Sequence, residues 1–175
     1  MSETGDRSAL QQLVTLYCHA VDRRDYGLLR SLYHDDAIDD HGAMFCGSPD
    51  DYVVWLPGMM ANWQATRHSL TNMLFLIDGD AADGEIVTDA WHRTLDGTRD
   101  IIAHGRYLDR YQRRAGVWKF WRRALVLDWM EERAVVQAEG PDEGVAKGRA
   151  DADDPVYARL PLFKAQRDAA NQESV

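Results

Sequence analysis

A carboxylate and an imidazole are the two side chains of this sequence best suited to acid–base chemistry. Asp22 ends an apolar helical stripe, where a carboxylate opposes the helix dipole, so helix stability does not explain it. His68 stands at the start of the first long predicted strand. An Asp–His pair makes a general base, because the carboxylate orients the imidazole and supports the imidazolium that forms on taking a proton. Spacing alone favours the simpler interpretation, a surface aspartate and an unrelated strand-edge histidine.

Two further side chains could act on a substrate held near that pair. Tyr17 lies on the same apolar stripe, five residues before Asp22, and its hydroxyl could donate to a carbonyl or leaving oxygen. Core packing is the commoner reason for a tyrosine on a helix. His92 lies on the same face of its strand as small and apolar residues, while charged residues take the other face, so we predict that it faces inward. Both a pocket histidine and a hydrogen-bonded core histidine fit that position.

The final strand carries two consecutive arginines, of which one must face the interior. Alternation from the preceding aromatic residues favours Arg122, although a single bulge would place Arg123 there instead. A buried arginine could stabilise an enolate or a departing anion. It could equally pair with a core carboxylate such as Asp109 or Asp128.

The segment from His34 to His41 is rich in histidine and aspartate, residue types that ligate divalent cations. The spacing matches none of the HExxH, EF-hand or facial-triad patterns, so we interpret these side chains as solvated and predict no metal site. GxGxxG, P-loop and GxSxG motifs do not occur in the sequence. We therefore expect neither a nucleotide nor acyl-serine chemistry, and no cofactor.

The helices that would position these groups fall in the first third of the chain. Apolar residues recur at helical spacing up to residue 22, and a shorter stripe follows up to residue 32. Ser8 and Gln11 fit a capping box, which predicts that the first helix begins at Ser8. A third helix is predicted from Ser48 to about Thr66.

The second half of the chain changes to the pattern of long β-strands. The predicted strands are Leu70–Ile77, Ala82–Leu95, Ile101–Tyr111 and Val117–Trp129. The sequences DGD, DG and AG separate them and suit hairpin turns. Helices followed by such a meander predict an α+β fold, in which N-terminal helices wrap a curved antiparallel sheet into a cone. We expect the functional site inside that cone.

Length and composition predict a soluble globular domain. The 175 residues carry 20 basic and 29 acidic side chains, a formal charge of −9, which argues against nucleic-acid and anionic-membrane surfaces. No apolar run approaches the roughly 18 residues of a membrane span, and the N-terminus does not resemble a signal peptide. Two cysteines without a CxxC pair predict the reducing cytoplasm. We assign residues 1–131 to the cone and 132–175 to a partly irregular extension that could pack on a neighbouring subunit.

Four segments carry a family resemblance. They are LYCHAVDRR at 16–24, LYHDDA at 32–37, His68-xxx-Asn72, and YQRRAGVWKF at 111–120. In this order they resemble the SnoaL-like family of the nuclear transport factor 2-like (scytalone dehydratase-like) superfamily, whose members fold as a cystatin-like α+β roll. The resemblance covers about residues 8–130. Within the family, hexachlorocyclohexane dehydrochlorinase and bile-acid 7α-dehydratase are the members that the segments most resemble.

The resemblance implies roles for several residues. The dehydrochlorinase dyad falls on Asp22 and His68, and its arginine falls on Arg123, against the alternation that favours Arg122. Tyr17 stands where the dehydrochlorinase has a lysine, and this difference argues against the same dehalogenation. A tyrosine five residues before the aspartate instead resembles the Tyr–Asp–His arrangement of the 7α-dehydratase. The resemblance therefore implies that Asp22, His68, Tyr17 and Arg123 are catalytic.

We expect a cofactor-independent, dehydratase-like lyase that acts on a mostly apolar cyclic or polycyclic small molecule. His92, Trp55 and Tyr107 are expected to bind the substrate. The alternatives are an isomerase or polyketide-type cyclase with the same dyad, and a small-molecule binding protein without turnover, because this fold serves many functions. The resemblance also implies a homo-oligomer, a trimer rather than a dimer, formed through the outer sheet face.

Overall fold

Helices precede long strands along the chain, as predicted for an α+β fold. The computed structural model describes residues 3–136, 140 and 143–172. The elements are α1 (Glu3–Asp22), α2 (Tyr26–Ser31), β1 (Tyr33–Asp40), β2 (Cys46–Gly47), α3 (Pro49–Met60), β3 (Trp63–Asp78), β4 (Ala81–Thr94), β5 (Arg99–Arg114), β6 (Val117–Ala134), α4 (Pro155–Arg159) and α5 (Pro161–Gln172).

The strands form one six-stranded curved sheet in the order β2-β1-β6-β5-β4-β3. Strands β3 to β6 are the predicted antiparallel meander, and the predicted turn sequences connect them. The short strand β1 adds to β6 in parallel, so the sheet is mixed at this edge. Register shifts interrupt the β3–β4 and β5–β6 pairs, and such bulges increase the local bend of a sheet. The predicted cone is confirmed.

The core lies between α1 and the concave face of the sheet. Its fully buried side chains include Leu10, Val14 and Tyr17 from α1, and Phe75, Ile86, Tyr107, Tyr111 and Phe120 from the strands. The opposite sheet face keeps large apolar side chains in solvent. They include Leu74, Leu76, Leu108 and Trp129. The helices therefore cover one face only, which leaves a hollow under α1 and α3.

Helix α1 begins at Glu3, so the prediction that it starts at Ser8 is wrong. Its first turn is held by a contact from the far end of the sequence. The carboxylate of Asp6 accepts hydrogen bonds from Trp118 Nε1 at 2.8 Å and from Arg113 Nη1 at 2.7 Å. Because both donors belong to the β5–β6 hairpin, no local capping pattern indicates this helix start.

The third helix ends at Met60, six residues earlier than predicted. The side chain of Asn62 donates hydrogen bonds to the carbonyl oxygens of Gly58 and Met59, both at 3.1 Å. In a longer helix these carbonyl oxygens would accept backbone N–H groups instead. Strand β3 then begins at Trp63, so His68 lies inside the strand. The prediction that His68 stands at the start of the strand is wrong.

The C-terminal extension packs on helices of its own chain. Asn171 Nδ2 donates to Asp25 Oδ1 at 3.1 Å, and Arg23 Nε lies 3.5 Å from Asp154 Oδ2. Residues 137–139, 141–142 and 173–175 of this extension lie outside the described part, and its packing on a neighbouring subunit stays a prediction. None of the helices within the described ranges is long and apolar enough to cross a membrane.

Two glycines provide a matched test of the β5–β6 bulge. A Cβ on Gly105 would lie 2.3 Å from the carbonyl oxygen of Val126, whereas a Cβ on Gly58 in α3 would meet no atom within 4 Å. We expect Gly105→Ala to lower the free energy of unfolding by about 2 kcal/mol or more. Gly58→Ala should raise it by about 0.5–1 kcal/mol, because alanine restricts the unfolded chain. Urea unfolding measures both, and equal effects would contradict the close approach at Gly105.

Candidate active site

The C-terminal residue of α1 and the middle of β3 meet in a dense set of hydrogen bonds. Asp22 Oδ1 lies 2.8 Å from His68 Nδ1 and accepts the Thr66 hydroxyl at 2.9 Å. Asp22 Oδ2 accepts the backbone N–H of His68 at 2.8 Å. The two side chains are only 11% and 8% exposed, so the pair is sheltered from bulk water. Its geometry is that of a general base oriented by a carboxylate.

These hydrogen bonds also control the charge of the carboxylate. Burial alone would raise the pKa of Asp22, but the hydrogen bonds and charge of His68, together with Thr66, outweigh burial and lower the pKa below its ordinary value. Arg24 Nη1 in turn donates to the Thr66 hydroxyl at 2.9 Å. Asp22 is therefore ionised at neutral pH and can support an imidazolium on His68.

The imidazole of His68 lies on the wall of a cavity of about 540 Å³ between α1, α3 and the sheet. The apolar wall includes Val21, Trp55, Leu56, Met59, Met60, Ile101, Ala103, Leu125 and Leu127. The polar side chains of the wall are Tyr17, His41, Tyr52, His68, Thr88, His92 and Tyr107. Asp22 occupies Nδ1 of His68, so Nε2 is the nitrogen left to act on a bound molecule.

Two tyrosine hydroxyls form a hydrogen-bonded pair in this wall. The oxygens of Tyr17 and Tyr52 lie 2.8 Å apart. Burial is the main reason that the pKa of each phenol is well above its ordinary value, and the neighbouring tyrosine contributes for Tyr17. Both hydroxyls therefore stay protonated at neutral pH, and the pair can donate one hydrogen bond to a substrate oxygen.

His92 faces the cavity beside His68, as strand alternation predicts. Its ring lies edge-on to that of His68, with centroids 5.8 Å apart, and 4.8 Å from the ring of Trp63. Burial, and then the nearby His68, lower the pKa of His92 to about 4. The side chain is therefore neutral at physiological pH.

Two polar groups in this part of the wall have no hydrogen-bond partner within the described structure. They are the hydroxyl of Thr88 and the indole nitrogen of Trp63, both buried. Buried polar groups are normally satisfied, so each of these two groups has a hydrogen bond to offer to a ligand or a water molecule. The expected substrate-binding residues Trp55 and Tyr107 also lie on the cavity wall.

The strand arginine that faces inward is Arg123. The register of β5 and β6 shifts after Phe120, so Trp121 is an extra residue and alternation restarts beyond it. Arg122 consequently lies outside, with its guanidinium 4.3 Å from the centroid of the Trp121 ring. The alternation argument for Arg122 is wrong because it assumed an uninterrupted strand.

Arg123 is enclosed in the core and held by a carboxylate. Its Nε and Nη2 donate to the two oxygens of Asp109 at 2.8 and 2.7 Å, and both side chains are fully buried. The guanidinium carbon lies 4.0 Å from the ring centroids of Tyr17 and Tyr107. These two rings belong to the cavity wall and Arg123 does not. The arginine therefore supports the wall from behind.

The described residues do not contain a group of three or more His, Cys, Asp or Glu side chains arranged to hold a metal ion. The segment 34–41 was predicted to be solvated, and this is wrong for part of it. Asp39 is fully buried, and its oxygens contact Tyr33 Oη and His41 Nδ1, each at 2.5 Å. His41 belongs to the cavity wall.

Residues 2–124 match the family model of the SnoaL-like domain. The chain belongs to the SnoaL-like domain family. The matched range includes the first three helices, the dyad and most of the sheet, and it confirms the resemblance that the sequence segments indicated. Members of the SnoaL-like family share a cone, and the roles of individual residues in this chain rest on its own geometry.

The curated relatives of the chain are distant in sequence. Over 89 residues the chain is 29% identical to an uncharacterized protein of Mycobacterium tuberculosis, a match covering 50% of this chain and 60% of the relative. The chain thus spans about three fifths of the length of the curated relatives it matches.

Solved structures share the SnoaL-like cone over most of their length. A hexachlorocyclohexane dehydrochlorinase from Novosphingobium barchaimii superposes with a TM-score of 0.71 at 23% identity, covering 79% of this chain and 97% of the other. A protein provisionally named a scytalone dehydratase, from Novosphingobium aromaticivorans, gives 0.69 at 25% identity, covering 82% and 97%. The likeness at this level of identity concerns the fold.

Sequence reasoning missed Thr66, Tyr52 and the Asp39–His41 pair. Thr66 was assigned to the end of the third helix. Its position two residues before His68, which puts both side chains on the same strand face next to Asp22, was therefore not recognised. Asp39 and His41 share a spacing of two residues, which aligns side chains along a strand, and this was the available signal. Tyr52 meets Tyr17 across 35 residues, and no local pattern indicates that contact.

The position of Arg123 predicts a structural penalty when it is replaced. Arg123→Met leaves the carboxylate of Asp109 buried without its cation, so we expect unfolding to become easier by about 3–5 kcal/mol. The double variant Arg123→Met with Asp109→Leu should recover much of that loss, because no charge stays buried. Denaturant unfolding measures both. Undiminished stability in the single variant would instead indicate a role on the substrate.

The neutral state of His92 makes stability depend on pH. Its pKa of about 4 in the fold lies below the ordinary 6.5, so between these values the unfolded chain binds a proton that the folded chain does not. The neutral imidazole therefore contributes up to about 3 kcal/mol to the free energy of unfolding. This contribution is complete above about pH 6.5 and is lost as the pH falls toward 4. His92→Gln should lose less stability between pH 7 and pH 4.5 than the wild type in urea titrations. Parallel losses would contradict a buried neutral imidazole.

Proposed function

We propose that the protein is a cofactor-independent lyase of the dehydratase kind, with Asp22 and His68 as its general base. The observation that carries this proposal is the 2.8 Å contact between the aspartate and Nδ1 of an imidazole on the wall of an apolar cavity. An ordinary core histidine needs neither the ionised carboxylate nor the adjoining hollow.

The substrate proposed is a mostly apolar cyclic or polycyclic molecule that carries a hydroxyl two carbons from a carbonyl. The apolar wall favours hydrocarbon surface, and a volume of about 540 Å³ accommodates fused rings. A carbonyl acidifies the neighbouring C–H bond, so an imidazole can remove that proton. Removal of the hydroxyl then completes an elimination of water.

Each polar group of the wall has a part in this proposal. His68 Nε2 takes the proton from carbon while Asp22 balances the imidazolium that results. The Tyr17–Tyr52 pair donates to the carbonyl oxygen, where negative charge develops in the enolate. Neutral His92 and the unpaired Thr88 hydroxyl lie in the same wall and orient the substrate's oxygens. Arg123 acts by positioning the ring of Tyr17.

Isomerisation is the second candidate, supported by the same pair of tyrosines. A base and a hydroxyl donor suffice to form an enolate and return the proton at another carbon, without any leaving group. The product distinguishes the two reactions, since dehydration lowers the substrate mass by one water and isomerisation does not. A binding protein without turnover would exchange no substrate proton with solvent.

We also propose a homo-oligomer in the cytoplasm, a trimer by family resemblance. Leu74 and Leu76 are 60% and 70% exposed on the outer sheet face, which gives that face apolar area to bury. Light scattering during size exclusion measures the state, and a monomer would contradict the proposal.

Deuterium exchange tests the base separately from the leaving group. In D₂O the wild type should exchange the acidic C–H protons of 1-tetralone, and it should convert 3-hydroxy-1-tetralone to fluorescent 1-naphthol. We expect His68→Asn, which keeps a donor for Asp22, to lower both rates by about 10²–10⁴-fold, the usual worth of a positioned general base.

The control for this variant is another histidine with the same kind of partner. His104 Nδ1 lies 2.7 Å from Asp89 Oδ1, and both residues alternate with cavity-wall residues, so they lie on the outer sheet face. His104→Asn should exchange and eliminate at the wild-type rate. Wild-type exchange by His68→Asn would refute the assignment of the base.

A further inference from the structure

The cavity wall contains a second Asp–His pair that the proposed function has not used. Three such pairs occur among the residues that the structure describes, formed by His41, His68 and His104 with Asp39, Asp22 and Asp89. The first two histidines belong to the wall of the same cavity, and the third does not. The inference concerns His41, and it rests on the proposed dehydration.

The carboxylate of Asp39 is the most enclosed of the three. Its side chain is 0% exposed, and it contacts the hydroxyl of Tyr33 and Nδ1 of His41, each at 2.5 Å. A buried carboxylate is costly unless it is hydrogen-bonded and paired with a positive charge. Arg123, which is the register partner of Asp39 on β6, is already bound by Asp109 through both carboxylate oxygens. Of the two groups that hydrogen-bond to Asp39, the phenol of Tyr33 and the imidazole of His41, the imidazole is the one that can carry a positive charge.

The ring of His41 is held in place on a second side. It stacks on the ring of Tyr52, with centroids 5.4 Å apart and planes at 21°. The Tyr52 hydroxyl is the one paired with Tyr17, so His41 lies next to the donors proposed for the carbonyl. Because Nδ1 faces Asp39, Nε2 is the remaining proton-carrying atom. The ring is 11% exposed, which keeps it reachable from the cavity.

Dehydration moves two protons, and the two histidines divide them in opposite directions. We propose that His41 is the general acid of the reaction and that Asp39 is its positioning residue. His68 Nε2 takes the proton from carbon, the electron pair of that bond forms the C=C bond, and the C–O bond breaks. The departing oxygen takes the proton of His41 Nε2 and leaves as water. His68 ends protonated and His41 neutral, and exchange with solvent restores both.

A change of leaving group tests the acid independently of the base. The probes are 3-hydroxy-1-tetralone, whose hydroxyl must be protonated to leave, and 3-acetoxy-1-tetralone, whose acetate leaves as an anion. Both give 1-naphthol, which is followed by fluorescence. We expect His41→Asn to slow elimination of water by about 10²-fold or more and elimination of acetate by less than about fivefold.

The variant set separates failure of this inference from failure of the proposed function. The asparagine of His41→Asn keeps a donor for Asp39. Asp39→Asn should give the same difference between the two probes, and circular dichroism should show that its fold is retained. His68→Asn should slow both probes, and His104→Asn neither. Equal slowing of both probes by His41→Asn, or slowing of neither, overturns the role of His41 alone. Wild-type rates in His68→Asn, or no elimination from either probe by the wild type, overturn both proposals.

Discussion

The contact between the buried carboxylate of Asp22 and strand β3 is the interaction on which the cavity depends. A carboxylate at the C-terminal end of a helix is disfavoured by the helix dipole, so the groups that hold it must come from outside α1. They come from β3, as the backbone and ring of His68 and the hydroxyl of Thr66. These three hydrogen bonds join the last turn of the helix to one stretch of strand, at the point where α1 crosses the sheet. That crossing leaves the hollow open beside Tyr17.

The meander could be predicted because its information is local. Alternation, β-branched residues and glycine turns each act over a few residues, and the four long strands with their three turns are present as expected. Helix ends were less accessible. The start of α1 depends on Trp118, which reaches Asp6 across 112 residues. The end of α3 depends on a side-chain amide, Asn62, which single-residue propensities do not reveal.

The site was predictable only where the chemistry of one residue was unusual for its position. Asp22 at a helix end and the inward alternation of His92 are features of this kind. The bulge at Trp121 leaves no trace in an alternating pattern, and so alternation assigned the wrong arginine to the interior. Contacts such as the one between Tyr17 and Tyr52 follow from how helices pack, which a linear pattern does not encode.

Pairing of charges explains why so apolar a hollow can contain so many polar groups. The cation of Arg123 is cancelled by Asp109, and the phenols of the wall stay protonated. Two carboxylates buried next to residues of the cavity wall, Asp22 and Asp39, each face one histidine ring nitrogen. In the proposed mechanism, the protons on these two imidazoles set the charge that a substrate meets. Next to an apolar wall, moving those protons changes the local field far more than it would in bulk solvent. The substrate that we propose, an uncharged ring system with oxygen substituents, is a molecule on which such a field can act.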